Sequence, residues 1–298
     1  MKGDLHCHTK LSDGSVGIEE LIMLAAKNGV GVISITDCDC LAGTVRGRMI
    51  GKKSGIDVVP GVEISCTDET DGKEIHILCY QPDFPDRLEG LCHENQLMRK
   101  KAGQLMMFKA AAKFGITSEF ILKRANGSTN IYKQHIMHAL MEAGYTDAIY
   151  GELHDRLFTK GSADSILVEP KFKSPEVVLQ AIHDAGGLAI LANPVAFGCA
   201  DAAERLIPLG LDGIEAYHPV CSETDTARLL KLAKEHKLLV TGGSDFRGMY
   251  NKQCITIGSC GPTEKQLEEF LNFKARRKRQ QKRLEAKTAA LNAAVTAK

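Results

Sequence analysis

Short apolar runs alternate along most of this chain with stretches whose apolar residues recur every three to four positions. Gly31-Val32-Ile33-Ser34-Ile35-Thr36 has the length and continuity of a buried strand. The preceding segment, Ile18 to Asn28, has a helical repeat, with Glu19 and Glu20 in its first turn and Gly29 as its stop. The same unit recurs downstream. Ser174-Pro175-Glu176 reads as a cap followed by proline at the first helical position, opening a helix that ends at Gly186-Gly187 and leads into a strand from Leu188 to Ala192. A helix from about Ala202 precedes the strand Gly213–Tyr217. Another, through Leu229, Leu230 and Leu232, precedes the strand Leu238–Thr241. Repeated strand–helix alternation predicts an α/β fold with parallel strands, closed into a barrel or laid in an open sheet. In such folds functional side chains collect at the carboxyl ends of the strands.

The middle of the chain breaks this rhythm. From 85 to 161 the strand signals stop and helical patterns run through Leu91–Phe114, Ser118–Arg124, Ile131–Ala143 and Ala148–Phe158. The expected organisation is a discontinuous barrel (1–84 and 162–262), a helical insertion over its mouth (85–161) and a C-terminal segment (263–298). Within the insertion, Lys133, His135 and Arg156 are candidates to meet a substrate. Thr263-x-x-Gln266 after Pro262 is a capping-box signature for a long terminal helix, and Arg276-Arg277-Lys278-Arg279 reads as its solvated face.

Composition narrows the partners. The 298 residues are 44% hydrophobic and 25% charged, with a formal net charge of +1, which gives no pull toward nucleic acid or membrane surfaces. No apolar run approaches the roughly 20 residues that span a bilayer. Met-Lys-Gly-Asp-Leu-His lacks an apolar signal core, so a cytoplasmic location is expected. The ten cysteines stand singly in apolar segments, among them Cys79, Cys92, Cys199 and Cys254, as reduced thiols would. No pattern fixes an oligomeric state.

Against this ordinary background, one cluster of residue types stands out. His6 and His8 are separated by one residue, so on a strand both point to one face, a preformed half-site for a metal. Glu63, His76 and Asp245 each stand at the end of a short apolar run, so with His6 and His8 they fall where the rule of carboxyl ends places functional residues. Donors spread over several strands predict a metal site at one end of the barrel. His218 also ends a strand, where a hydrogen bond behind the metal ligands is its expected role.

Asp4-Leu5-His6-Cys7-His8, Ser12-Asp13-Gly14, Ile35-Thr36-Asp37, Pro60-Gly61-Val62-Glu63-Ile64-Ser65, His76-Ile77-Leu78 and Thr241-Gly242-Gly243-Ser244-Asp245-Phe246 occur in this order. Together they resemble the polymerase-and-histidinol-phosphatase (PHP) family over about residues 1 to 262. The branch most similar carries a helical insertion and includes nucleotide and sugar-phosphate phosphatases. The resemblance implies a distorted seven-stranded β/α barrel, similar to a TIM barrel. It also implies hydrolysis of a small phosphorylated substrate by metal-activated water at a cluster of two or three divalent cations.

Three positions depart from the family pattern. Thr-Asp-His-Asp-Thr is Thr36-Asp37-Cys38-Asp39-Cys40 here, Ala-His-Pro is Ala192-Asn193-Pro194, and Ser-Asp-Phe-His-Gly is Ser244-Asp245-Phe246-Arg247-Gly248. Carried over by position, a first metal keeps His6, His8, Glu63 and Asp245. A second shares Glu63 and adds His76, with Asn193 in place of a histidine. A third keeps only Asp13. Arginine has no lone pair to give, so Arg247 is expected to pair with Asp13 as a permanent positive charge. The cofactor reading is therefore one or two divalent ions per chain, manganese, iron or zinc, with Cys38 favouring zinc or iron if it ligates. In the enzymatic reading Arg247 and Asp13 belong to the catalytic apparatus, and Arg247, Lys133, His135 and His218 contact the substrate. Two alternatives stand beside it: hydrolysis of a cyclic phosphodiester or short oligonucleotide, and a non-catalytic relative that binds a phosphorylated ligand.

Overall fold

The structure, a computed structural model, describes residues 1–196, 198 and 201–296, so Cys199 lies outside the described residues. In chain order the elements are β1 (Gly3–Cys7), α1 (Ile18–Lys27), β2 (Val32–Ile35), α2 (Gly43–Ser54), β3 (Asp57–Thr67), β4 (Glu74–Tyr80), α3 (Asp86–Phe114), α4 (Ser118–Leu122), α5 (Lys133–Glu142) and α6 (Glu152–Phe158). They continue with α7 (Pro175–Asp184), β5 (Leu188–Leu191), α8 (Ala202–Leu206), β6 (Gly213–Tyr217), α9 (Glu223–His236), β7 (Leu239–Gly242) and α10 (Glu264–Thr296). The strands form one sheet in sequence order. A parallel bridge between Cys7 and Phe246, with His8 N donating to Phe246 O at 2.9 Å, brings its edges together into a nearly closed barrel.

The strands are not all parallel. β4 runs antiparallel to both β3 and β5. Between Thr67 and Glu74 there is room only for a hairpin, and a parallel return needs a crossover of a dozen residues or more. The rule of carboxyl ends therefore fails for His76. It lies near the amino end of β4, and the reversed direction is what carries it to the barrel mouth.

At the other end α10 is a plug. Leu267 and Phe270 are buried against Leu5, Tyr80, Leu188, Ile190 and Leu239. Phe270 meets Tyr80 edge to face at 5.1 Å, and the Tyr80 hydroxyl donates to Leu5 O at 2.6 Å. The first turns of α10 thus belong to the core.

Helix α2 has almost no apolar stripe. Its buried face is Gly43, Gly47 and Gly51, and a methyl group at Gly47 would lie 2.6 Å from Ile35 Cδ1. The glycines let the helix backbone lie directly on β2 and β3, a contact to which hydrophobic periodicity is blind.

Between β4 and β5 the chain is helical and builds a second core from Met106, Ala110, Ile121, Ile136, Leu140, Leu157 and Ile166, which also takes Tyr250 from beyond β7. Leu88 and Cys92, in the first half of α3, instead pack with Val178, Leu179 and Ile182 in the barrel's own core. Helix α3 is therefore shared between the two cores.

Candidate metal centre

The period of β1 places His6 and His8 on one face, where both are buried. His6 Nδ1 lies 2.9 Å from Glu215 Oε1 on β6, which leaves Nε2 facing Glu63 Oε1 at 3.3 Å and Asp245 Oδ1 at 3.5 Å. His8 is held the same way: Nδ1 lies 3.2 Å from Asp13 Oδ1, while Nε2 faces Asp245 Oδ1 at 3.3 Å and Glu63 Oε2 at 3.6 Å. His76 Nδ1 lies 2.9 Å from Glu63 Oε1, with Glu74 behind Nε2 at 3.0 Å. A carboxylate behind each imidazole is the usual way of fixing the tautomer and ring orientation of a metal ligand.

Asp245 and Asn193 follow the ends of β7 and β5. Asn193 Nδ2 donates to Asp245 Oδ2 at 3.2 Å, and its own backbone N donates to Glu215 Oε2 at 2.9 Å. Val220 N donates to His218 Nδ1, so Nε2 carries the hydrogen toward Asp245 Oδ2 at 3.3 Å. His218 thus stands behind Asp245. Asp39, Asn193 and Asp245 all have φ of about +50°, a left-handed backbone uncommon outside glycine, asparagine and aspartate and concentrated at functional sites.

Four atoms of this cluster are buried without a hydrogen bond: His6 Nε2, Glu63 Oε1, Asn193 Oδ1 and Asp245 Oδ1. Buried acceptors are normally satisfied. Here they converge, and their neighbours are mostly one another. His6, His8 and Glu63 offer ligand atoms all within 4.8 Å of each other, so these residues fit a divalent cation by position and by donor chemistry. Protonation points the same way. Burial alone would lower His76, but the charge of Glu63 and hydrogen bonds to Glu63 and Glu74 outweigh it and push it up to about 10. A proton supplies there the positive charge that a cation would bring, and a bound cation would displace it.

Behind the ligands, Asp37 accepts from Thr9 N, Thr9 Oγ1 and Ser12 Oγ at 2.6 to 2.7 Å. Asp39 accepts from Ser65 N and Asn95 Nδ2 at 3.0 and 2.7 Å. Cys38, between them, is bridged to Glu63, and its Sγ lies 3.2 Å from Glu63 Oε2. Arg247 Nε donates to Asp13 Oδ2 at 2.7 Å and its Nη1 pairs with Asp245.

The centre opens into a cavity of about 400 Å³ beneath the insertion helices, with Asp13, His76, Asp245 and Arg247 in its lining and Tyr132, Lys133 and Arg99 on its insertion side. Lys133 sits at the rim. His135 does not line the cavity. It is buried, its Nδ1 accepts from Tyr132 N at 3.2 Å to cap α5, and its ring packs edge-on between Tyr132 and Tyr250. The substrate contact expected of His135 is therefore replaced by a helix-capping role. Arg156 likewise pairs with Asp164 on the surface.

Burial holds the His135 imidazole down at about 4, against an ordinary 6.5. The unfolded chain therefore takes up this proton first as pH falls. Stability supplied by neutral His135 is fully present above about 6.5 and is lost between about 6.5 and 4, at most about 3 kcal/mol. Urea midpoints measured from pH 7 to 4.5 should fall more steeply for wild type than for His135→Gln.

Glu215, Arg99 and Tyr132 join the site without belonging to any of the motifs above. Glu215 was legible as the single carboxylate in the buried strand Gly213–Tyr217. Arg99 joins Ser65 Oγ (2.6 Å), Glu74 (3.2 Å) and Asp39 (3.5 Å) and lies over Tyr132 and Phe172. These partners are far apart in sequence, so no local pattern marks it.

The PHP domain pattern matches residues 4–185, more than half of the chain. This chain belongs to the PHP family. A phosphoribosyl 1,2-cyclic phosphate 1,2-diphosphodiesterase of Eggerthella lenta is 33% identical to this PHP protein over 84% of the chain and 95% of the relative's length. A 5'-3' exoribonuclease of Haemophilus influenzae is 30% identical over 82% and 89%. A crystal structure from Bifidobacterium adolescentis, assigned as a metal-dependent phosphoesterase, superposes with a TM-score of 0.81 at 27% identity, covering 90% of this chain and 95% of that one. Among the described residues of this PHP protein, no helix is long and apolar enough to cross a membrane.

Proposed function

We propose that this PHP protein hydrolyses a phosphate ester of a small phosphorylated molecule, a nucleotide or sugar phosphate, at a divalent-metal centre. His6, His8, Glu63 and Asp245 would hold the first ion, and His76 and Asn193 would offer donors to a second, of manganese, iron or zinc. The convergence of unsatisfied buried acceptors on the floor of a cavity that also presents cationic side chains carries this reading. When bound, a divalent ion polarises a phosphoryl oxygen and acidifies water.

The protein's own groups do the rest. Glu215, Asp13 and Glu74 orient the three imidazoles. Arg247 and Lys133 offer charge to non-bridging phosphate oxygens. Tyr132 lines the same cavity and its buried hydroxyl has no hydrogen-bond partner, which makes it a candidate donor to a substrate oxygen. A volume near 400 Å³ suits a single nucleotide or sugar phosphate better than an oligonucleotide. A cyclic phosphodiester is the second reading, favoured by the activity of the Eggerthella lenta relative. None of the nine described cysteines forms a disulfide, which supports a reducing, cytoplasmic setting.

The test is elemental analysis of protein purified without chelator and loaded with manganese, iron or zinc, followed by phosphate release from nucleotides, sugar phosphates and their cyclic esters. One or two retained ions and turnover of at least one ester class are expected. No retained metal and no hydrolysis would overturn the proposal in favour of a barrel that only binds phosphorylated ligands.

A further inference from the structure

A second cluster of ligand-type atoms lies beside the first. His8 Nδ1, Asp13 Oδ1 and Cys38 Sγ are all buried and lie within 4.8 Å of one another. Cys38 Sγ is 3.7 Å from Asp13 Oδ1 and 3.2 Å from Glu63 Oε2. A sulfur and two carboxylates at this spacing form a half-site for a thiophilic divalent ion.

Arg247 lies across it. Its Nε donates to Asp13 at 2.7 Å, its Nη2 is 3.2 Å from His8 Nε2 and 4.0 Å from Glu63 Oε2, and its Nη1 pairs with Asp245. One side chain thus reaches three carboxylates and an imidazole that a cation would also seek. A guanidinium is permanently charged and has no lone pair. It can neutralise Asp13 without ligating, and it repels a further metal ion placed between Asp13 and Cys38.

We propose that Arg247 is the resident cation of this second cluster, and that it keeps Cys38 and Asp13 closed to metal. Without Arg247 the cluster opens. A thiophilic ion then finds one sulfur and two carboxylate donors already gathered, Cys38 Sγ lying 3.7 Å from Asp13 Oδ1 and 3.2 Å from Glu63 Oε2. This deepens the metal-centre reading, because Glu63 and His8 face both clusters, but it is tested separately.

The experiment loads the full-length protein with cadmium and reads ions per chain together with the thiolate-to-cadmium charge-transfer absorption. Wild type should show no such band. Arg247→Ala should bind one more ion per chain than wild type and gain the band, and Arg247→Ala combined with Cys38→Ser should lose both. Arg247→Gln, which removes the charge but keeps most of the volume, gives the same reading should the alanine variant fold poorly. Arg247→Lys, which keeps the charge, should stay closed. A thiolate band in wild type, or no additional ion in either neutral variant, would overturn the proposal. A wild type that binds no cadmium at all would count against the first metal site, and the difference between variants would still decide this one.

Discussion

Glu63→Gln should remove metal retention and turnover together. The substitution keeps the volume of the side chain and turns one oxygen into a donor. Wild-type Glu63 reaches both flanks of the centre: Oε1 lies 3.3 Å from His6 Nε2 and 2.9 Å from His76 Nδ1, and Oε2 lies 3.6 Å from His8 Nε2 and 3.2 Å from Cys38 Sγ. Glu63 is also fully buried in the middle of β3, so solvent cannot replace the lost charge. Burial by itself would raise its carboxyl, but His76 and His6 outweigh that and hold it well below the ordinary range. It is therefore ionised and available as a ligand at any pH where the protein works. The expected loss in kcat for the best ester found is on the order of 10³-fold or more. Elemental analysis should show loss of bound metal, while circular dichroism should match wild type because the packing is preserved. A variant that keeps its metal and more than a tenth of its activity would remove Glu63 from the centre.

Why Glu63 and its partners could be picked out of the chain, and others could not, follows from the range of the physics involved. The His6–His8 pair is legible because strand geometry puts alternate residues on one face. The β/α rhythm is legible because each unit carries its own caps and apolar period. The direction of β4 is not legible for a different reason: the expectation of parallel strands rests on helices recurring between strands, and the six-residue link before β4 holds none. Helix α2 is not legible because its contact face is glycine, which leaves no hydrophobic signature. The insertion was visible as helices, but its sharing of α3 with the barrel depends on which side chains meet across the fold. His135 shows the same limit. Its place in a helical insertion over the barrel mouth suggests the cavity, while its long-range neighbour Tyr250 and the backbone of Tyr132 turn it inward. Cys38, Asn193 and Arg247 are unremarkable by local pattern and gain meaning only against the family motifs and from the groups they meet in space.

Gly243→Ala should strongly damage the seam of the barrel. A methyl group there would lie 2.4 Å from His6 N, 2.5 Å from His6 Cβ and 2.9 Å from Asp4 Oδ1. Two of these three atoms belong to β1 itself or to the root of a ligand side chain, so no flexible tip can swing aside. The chain after β7 must move away from β1. That movement pulls on Asp4, which accepts from Ser244 N at 2.9 Å, Ser244 Oγ at 2.5 Å and Gly258 N at 2.7 Å and thereby fastens the two edges of the sheet. Overpacking with the partial loss of these hydrogen bonds should cost about 3 kcal/mol. For a chain of this size that is a drop in Tm of roughly 5–10 °C by calorimetry. Gly90→Ala, in α3 with nothing within 4 Å of the added methyl, is the control and should be neutral or slightly stabilising. The seam also divides the ligands, with His6 and His8 on one side and Asp245 on the other. Metal affinity should therefore fall in Gly243→Ala even at temperatures where the protein stays folded, because the centre is assembled by the closure of the barrel and not by any one strand.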